Sequence, residues 1–430
     1  MKPDDDHPLR YALVNELHAR PSPRVMPPAT VAYLAIKEPR DAVGRNRARD
    51  YDHLSALVAR HGGPRPDPDG SHYAGQLGRH HLRWESHAEF VTYAAFTPGL
   101  PPHPFDPKAG AVFPADWQAG APGKRVAAVL VQVQWLPDDI SELTARAAEW
   151  FAPDSLAMSW ILEEAAVVAS DFRIDSTGWM RFAVFVRPGE SDARVGRIVQ
   201  RLTELETYRA MSMLGLSRSR SLMRQLNGIE ARLSEIVDHM SADQPADALL
   251  HELLKVSNQL ETQATQNFFR FGATAAYEAI VAERVKSLRE TRFQGRQTLS
   301  EFMTRRYLPA MRTVKSAEHR LNAALERATR AGDLLRTRVD VERSAQNQAV
   351  LNSMDRRADL QLRLQHTVEG LSVVAISYYA VGLAAYALAP LAGAVGLDKA
   401  ALLALLVPLV VGAVWLSLRR IKAGLHHDDP

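Results

Sequence analysis

The residues with the most chemical potential fall in one short run, His80-His81-Leu82-Arg83-Trp84-Glu85-Ser86-His87-Ala88-Glu89-Phe90. Read as extended chain, alternation puts Leu82, Trp84, Ala88 and Phe90 on one face and His81, Arg83, Glu85, His87 and Glu89 on the other. Two imidazoles and two carboxylates on one face are the ligand types of a divalent-metal site. Arg83 sits among them, and a cation there opposes a metal ion. The favoured reading is a solvated sheet face with cross-strand ion pairs.

A second set, His7, His18 and Arg20, could hold an anion or a polar substrate. Glu16 and His18 are two apart and would not share a helix face, so this is no zinc motif of the HExxH type. Leu9, Leu13 and Leu17 recur at i, i+4 and i+8, which predicts a short helix over Tyr11–His18, stopped by Pro21 and packed on the domain. Its polar residues then serve as caps and pairs. The chain has no GxGxxG, phosphate-binding loop or GxSxG, and no cysteine. Lack of cysteine excludes disulfides, thiolate metal sites and a cysteine nucleophile, and suits a reducing compartment. A net charge of +3 gives no reason to expect a nucleic-acid partner. No catalytic, cofactor-binding or metal residue is assigned, and the balance leans away from an enzyme.

The elements that would position these groups divide the 430 residues into three regions and predict an α+β protein. Residues 1–190 read as a mixed α/β domain. Its elements are a buried strand at Thr30–Ile36, a helix at Asp41–Ala59, a β-meander from Leu77 to Phe96 and a strand at Val126–Trp135. A helix at Ile140–Trp150 follows, then paired segments Ala165–Arg173 and Trp179–Arg187 joined by an Asp175–Gly178 turn. Residues 191–365 read as a helical bundle or stalk. Val195, Ile198, Val199, Leu202 and Leu205 form a helical stripe, and Phe268, Phe269 and Phe271 read as core. Leu308-Pro309 marks a kink or fresh helix start. Beyond it Met311, Val314, Leu321, Leu325, Ala328, Leu335 and Val339 sit on a heptad grid whose remaining places are Glu318 and Gly332, a partial coiled-coil signal. An unbroken helix from Ala310 to His366 would extend about 85 Å.

Residues 366–430 read as a transmembrane helical hairpin with a short cytosolic tail. From Gly370 to Leu397 there is no charged side chain, and Ala400 to Leu418 is again uncharged. Leu371–Ala389 and Ala400–Leu418 each approach the roughly 20 residues that span a bilayer core. Pro390, Gly393, Gly396 and Asp398 are breakers between them. Arg356, Arg357 and Arg363 precede the first span, and Arg419, Arg420 and Lys422 follow the second, which puts both ends in the cytoplasm. No signal-peptide pattern opens the chain.

Several stretches together resemble one family: HPLR…NELHARP (His7 to Pro21), DFRIDSTGWMRF (Asp171 to Phe182), ELETYRAMSMLGL (Glu204 to Leu216), LLRTRVDV (Leu334 to Val341) and RLQHTVEGLSVVAISYY (Arg363 to Tyr379). They are similar to the bacterial membrane-protein family catalogued as domain of unknown function 3422. The resemblance spans nearly the whole chain and implies a bacterial inner-membrane protein without an assigned activity. The layout, a cytosolic α/β domain, a long helix and a two-helix hairpin, is more loosely similar to CorA-type divalent-cation channels. Their Gly-Met-Asn filter is absent, since the corresponding stretch is Ala385-Tyr386-Ala387-Leu388-Ala389-Pro390.

The expected function is an inner-membrane-anchored, homo-oligomeric structural or interaction protein whose partners are the bilayer and its own copies. Small residues in the first span, Gly370, Ser372, Ala375, Ser377, Gly382, Ala384 and Ala385, would allow close helix packing. A divergent CorA-like channel and a membrane-tethered enzyme using His18, His81 or His87 are the alternatives.

Overall fold

In the computed structural model, residues 6–18, 22–39, 45–240, 244–394 and 398–425 are described. The strands are β1 (Ala29–Lys37), β2 (His72–Leu77), β3 (His80–Ser86), β4 (Phe90–Pro98), β5 (Lys124–Trp135), β6 (Ala157–Ile161), β7 (Ala166–Ser170), β8 (Met180–Val186) and β9 (Thr291–Arg292). They form one nine-stranded sheet in the order β2-β3-β4-β1-β5-β8-β7-β6-β9. Neighbours are antiparallel except β5 and β8, which run parallel with Val129 opposite Met180. The short helices are α1 (Arg10–His18), α2 (Arg47–Arg60), α3 (Ala115–Ala119) and α4 (Ile140–Trp150). The long ones are α5 (Asp192–His239) and α6 (Ala246–Ser287), followed by a single turn α7 (Leu299–Phe302), α8 (Leu308–Ala394) and α9 (Lys399–Leu425).

β1 lies mid-sheet and is buried at every position, which is why Ala29–Lys37 reads as an unbroken apolar run. Ala32, Leu34 and Ile36 face a core built with Leu54 and Leu57 of α2, Trp117 of α3 and Leu143 of α4. Tyr33 faces the opposite way, and its hydroxyl accepts a hydrogen bond from Thr207 of α5 at 2.8 Å. The sheet is therefore covered on both faces, with the long helices on the second. Gly196 allows α5 to seat there: a Cβ at that position would lie 1.7 Å from the Pro23 carbonyl oxygen.

The α+β class and the β-meander appear as the sequence predicts. β6 has no counterpart in the sequence reading. Its edge is laced by a later segment: Leu162 N donates to Leu288 O at 2.9 Å, Met158 N to Gln297 O at 2.8 Å, and β9 pairs with Ser159 and Trp160. Leu162, Glu163 and Glu164 all take left-handed conformations in the β6–β7 turn, with φ of 52°, 56° and 63°. Such residues are disfavoured by about 1–2 kcal/mol each. The turn is gripped by Arg194, whose guanidinium donates to Leu162 O at 2.8 Å, and by Arg187 and Arg289, paired with Glu164 and Glu163.

Two expectations near the helices need correction. α1 forms, but Leu9, Leu13 and Val14 are exposed, Leu13 at 63%, so the helix is not packed as its leucine spacing suggested. Phe268 points into solvent at 82% exposure while Phe271 is buried, because only one of three neighbouring positions on α6 faces inward.

The chain divides into two units, residues 1–333 and 334–430. In the first, burial along α5 falls on Ser219, Leu222, Leu226, Ile229, Leu233 and Ile236, and along α6 on Ala246, Leu249, Leu253, Val256 and Leu260. Both follow alternating steps of three and four. On α8 the buried series is Val314, Ala317, Leu321, Ala324, Ala328 and Ala331. Met311, Val314, Leu321, Ala328, Leu335 and Val339 are buried as the grid predicts, and only its intermediate places shift by one residue, from Glu318, Leu325 and Gly332 to Ala317, Ala324 and Ala331. Alanine lets the helices approach closely, and the bulkier Leu325 stays at the margin. Across this packing Arg320 pairs with Glu230, and Lys315 Nζ lies 2.8 Å from Glu278.

Pro309 is the second residue of α8, at the kink or fresh helix start that the sequence predicts. Its ring crowds the carbonyl four residues back, and the turn just ahead, Met303–Tyr307, widens to π geometry. In the second unit Pro390, expected as a breaker, lies within α8, which continues to Ala394. Gly396 lies outside the described residues.

Candidate functional site

The β3 run places its charged groups against the helical layer rather than in solvent. Alternation holds through Ser86, with Leu82 and Trp84 buried in the core. The chain then turns, so alternation does not carry across Ser86–Glu89. Phe90 accordingly falls on the same side as Arg83 and Glu85, since Glu85 pairs with Thr92 and Arg83 with Ala94. This reverses its expected face, and α5 covers the side expected to be solvated.

Arg83 donates to Glu85 at 3.1 Å, and His87 Nε2 lies 3.8 Å from the other oxygen of Glu85. The His87 ring stacks on Phe90 at 4.4 Å. His81 is at the opposite end of β3 and exposed, so the two imidazoles do not converge. Among the described residues no three His, Asp or Glu side chains gather as a metal site. His7 caps α1, its Nδ1 accepting from Leu9 N at 3.2 Å. Arg20 and the His18 side chain lie outside what the structure describes.

Glu89 is the centre of the arrangement. It is buried at the head of β4 and accepts from the Arg270 guanidinium of α6 and from the Tyr277 hydroxyl at 2.9 Å. Lys37 Nζ, at the end of β1, lies 3.8 Å away. Tyr277 stacks on Tyr208 of α5 at 5.6 Å, and Phe90 packs edge-on against both. Burial and then the Glu89 charge push the Tyr277 hydroxyl well above its ordinary pKa. A few residues along, Arg284 pairs with Glu204, which also accepts from Gln200 at 2.8 Å. Between sheet and α5 remains a cavity of about 40 Å³ bordered by Tyr33, Arg83, Glu85, His87, Glu204 and Tyr208. That is room for about two or three waters, far below the few hundred Å³ of an ordinary ligand pocket.

A residue the sequence reading did not single out, His53 on α2, is buried nearby in the other layer. It stacks on Trp117 at 3.9 Å, its Nδ1 meets the Tyr93 hydroxyl at 2.9 Å, and its Nε2 meets the Trp117 carbonyl at 3.0 Å. Burial lowers its pKa. With both nitrogens engaged, this imidazole braces α2 and α3, and it borders a surface pocket of about 340 Å³ with Arg49, Arg60 and Asp116.

The other candidate surface lies in the second unit. Two helices are long and apolar enough to cross a membrane, with 6% and 0% of their most apolar windows buried within the chain. Ser377, with its side chain buried, and Tyr378 and Tyr386 border a groove with Leu403, Val407 and Val411 of α9. At the far end of α9 the Arg419 guanidinium sits 5.1 Å from the Trp415 ring.

A family model described as a protein of unknown function (DUF3422) matches residues 5–425. The chain belongs to this family. The match takes in the nine-stranded sheet, the long helices and both apolar helices, so all three are parts of one DUF3422 unit. It lends no support to the likeness with cation channels. No curated protein matches the DUF3422 chain.

Proposed function

We propose that this DUF3422 protein is a membrane-anchored structural or interaction protein of the bacterial inner membrane, with its α/β domain and tail in the cytoplasm and with its own copies as partners. The observation that carries the reading is the uncovered apolar surface of the two C-terminal helices. A helix apolar on all sides and buried by nothing in its own chain needs a nonpolar solvent. Arg356, Arg357 and Arg363 before the first span, and Arg419 and Arg420 after the second, favour a cytoplasmic position for both ends. Trp415 beneath Arg419 is a pairing suited to the headgroup boundary, where an amphipathic ring and a cation meet water and lipid together.

The polar layer around Glu89 supports a structural rather than a catalytic role. Glu89 is held by Arg270 and Lys37, and the neighbouring cavity of about 40 Å³ is small beside an ordinary ligand pocket. An ion path would call for charged or carbonyl ligands along the spans, whereas Gly370 to Ala394 offers only hydroxyls. The three-and-four burial of α5, α6 and α8 suits a coiled-coil-like bundle as the mechanical link between sheet and membrane.

The test is fractionation of cells expressing the full chain, followed by labelling of single-cysteine variants at Ser217 and at Lys399. Retention in alkali-washed membranes, with position 399 labelled from the periplasm and 217 only after permeabilisation, is expected. Recovery in the soluble fraction would overturn the reading.

A further inference from the structure

Every residue of α8 from Arg343 to Val368 is exposed. Helices in proteins draw most of their stability from the packing of one face rather than from propensity. Its residues are not evenly distributed around the axis. On a seven-residue repeat Val350, Met354, Arg357, Gln361, Leu364, Val368 and Leu371 take the two inner positions, at alternating steps of four and three. The flanking positions carry Leu351, Ser353, Ala358, Leu360, Gln365 and Thr367, all uncharged. Asp355, Arg356, Asp359, Arg363, His366 and Glu369 fall on the outer positions, where Leu362 is the one large apolar side chain. Arg357 is the single charge on the inner face between residues 346 and 372.

We propose that this face is a self-association seam, in which residues 346–372 of α8 lie alongside the same segment of a second copy. Charge favours a copy over a foreign partner. Asp355, Asp359 and Glu369 balance Arg356, Arg357 and Arg363, so the segment neither repels itself nor calls for a strongly acidic or basic surface. A basic membrane-lying helix would show a one-signed polar face, which is absent here. The orientation rests on the anchored reading above. The segment runs directly into the first apolar span, so copies held in one bilayer present it in the same direction and height. Parallel pairing then sets Leu364 against Leu364 and lets two Gln361 amides bond to each other. It also brings Arg357 to its own copy, a polar layer that weakens the seam and fixes its register.

The chain has no native cysteine, so single cysteines report directly on this geometry. Leu364→Cys and Val368→Cys, against the outer positions Asp359→Cys and His366→Cys, are introduced into the full-length chain and oxidised in native membranes. Disulfide-linked dimer at 364 and 368, at least about five-fold above 359 and 366, is the expected profile, because only inner positions bring Cα atoms within bridging distance. Arg357→Leu combined with Leu364→Cys should raise the linked fraction. Leu364→Glu with Val368→Glu should lower the detergent-corrected mass of the purified chain. A flat cysteine profile with an oligomeric mass overturns the seam while leaving self-association through another surface. A monomeric mass overturns both, and a soluble, unanchored chain overturns the membrane reading separately.

Discussion

The Arg270 guanidinium of α6 donates to the Glu89 carboxylate, 181 residues earlier, with both side chains withdrawn from water. Glu89 ends the β3–β4 turn and Arg270 sits mid-helix, so this pair fastens the long helices to the sheet. Removing one partner leaves a buried charge without its counterpart. Glu89→Gln or Arg270→Met should each lower unfolding free energy by roughly 3–5 kcal/mol. The double substitution should recover much of the loss. Chemical denaturation of the detergent-solubilised chain checks this, and additive losses would show that the pair is not coupled.

Gly196 and Gly228 lie on the same helix and should respond oppositely to alanine. At 196 the new methyl would meet the Pro23 carbonyl oxygen at 1.7 Å, so α5 must lift from the segment leading into β1. At 228 no atom lies within 4 Å. Gly196→Ala should lower the melting temperature sharply or abolish folding. Gly228→Ala should raise stability by about 0.5–1 kcal/mol through helix propensity alone.

Glu290 gives the fold a dependence on pH between mildly acidic and neutral conditions. Burial and then the nearby Glu301 raise its pKa from 4.5 to about 7, against the lowering effect of the Ser300 amide and Thr298 hydroxyl. Because the folded value lies above the unfolded one, its stabilising contribution is complete below about pH 4.5 and is lost as pH rises through about 7. Glu290→Gln should remove that limb from a plot of melting temperature against pH. An unchanged limb would assign it to another group.

His53 acts in the opposite direction. Burial depresses its pKa, so its contribution is complete above the ordinary value of 6.5 and declines as pH falls below it. His53→Phe preserves an aromatic stack on Trp117 but gives up the bonds to Tyr93 and to the Trp117 carbonyl. A loss of roughly 1–3 kcal/mol at pH 8, with a flatter acid limb, is the expected result by thermal melting.

The parts legible in the sequence are those written locally. Apolar runs at 371–389 and 400–418 mark the two C-terminal helices because uninterrupted apolarity is rare elsewhere. The meander around β3 is likewise visible in its alternation. Glu89 was not legible as the centre of the polar layer. Alternation carried across a turn placed it on an open face, and nothing near it in sequence points to Arg270. The α8 stripe was legible at Met311, Val314, Leu321, Ala328, Leu335 and Val339, but its intermediate places were not, because leucine at 325 outweighs alanine at 324 on any hydropathy count, whereas close helix contact selects the smaller side chain. β6 went unseen because Ala157–Ile161 is short, and its edge partner, β9, comes more than a hundred residues later.

That late partner sets an order on synthesis. As the chain leaves the ribosome, β6 emerges with an unpaired edge and keeps it until α5, α6 and then Thr291–Gln297 have followed. Phe293, fully buried beside Trp160, arrives at the same moment. A nascent sheet cannot close this edge until the helical excursion has folded back, so β6 stays open to wrong pairing while translation continues.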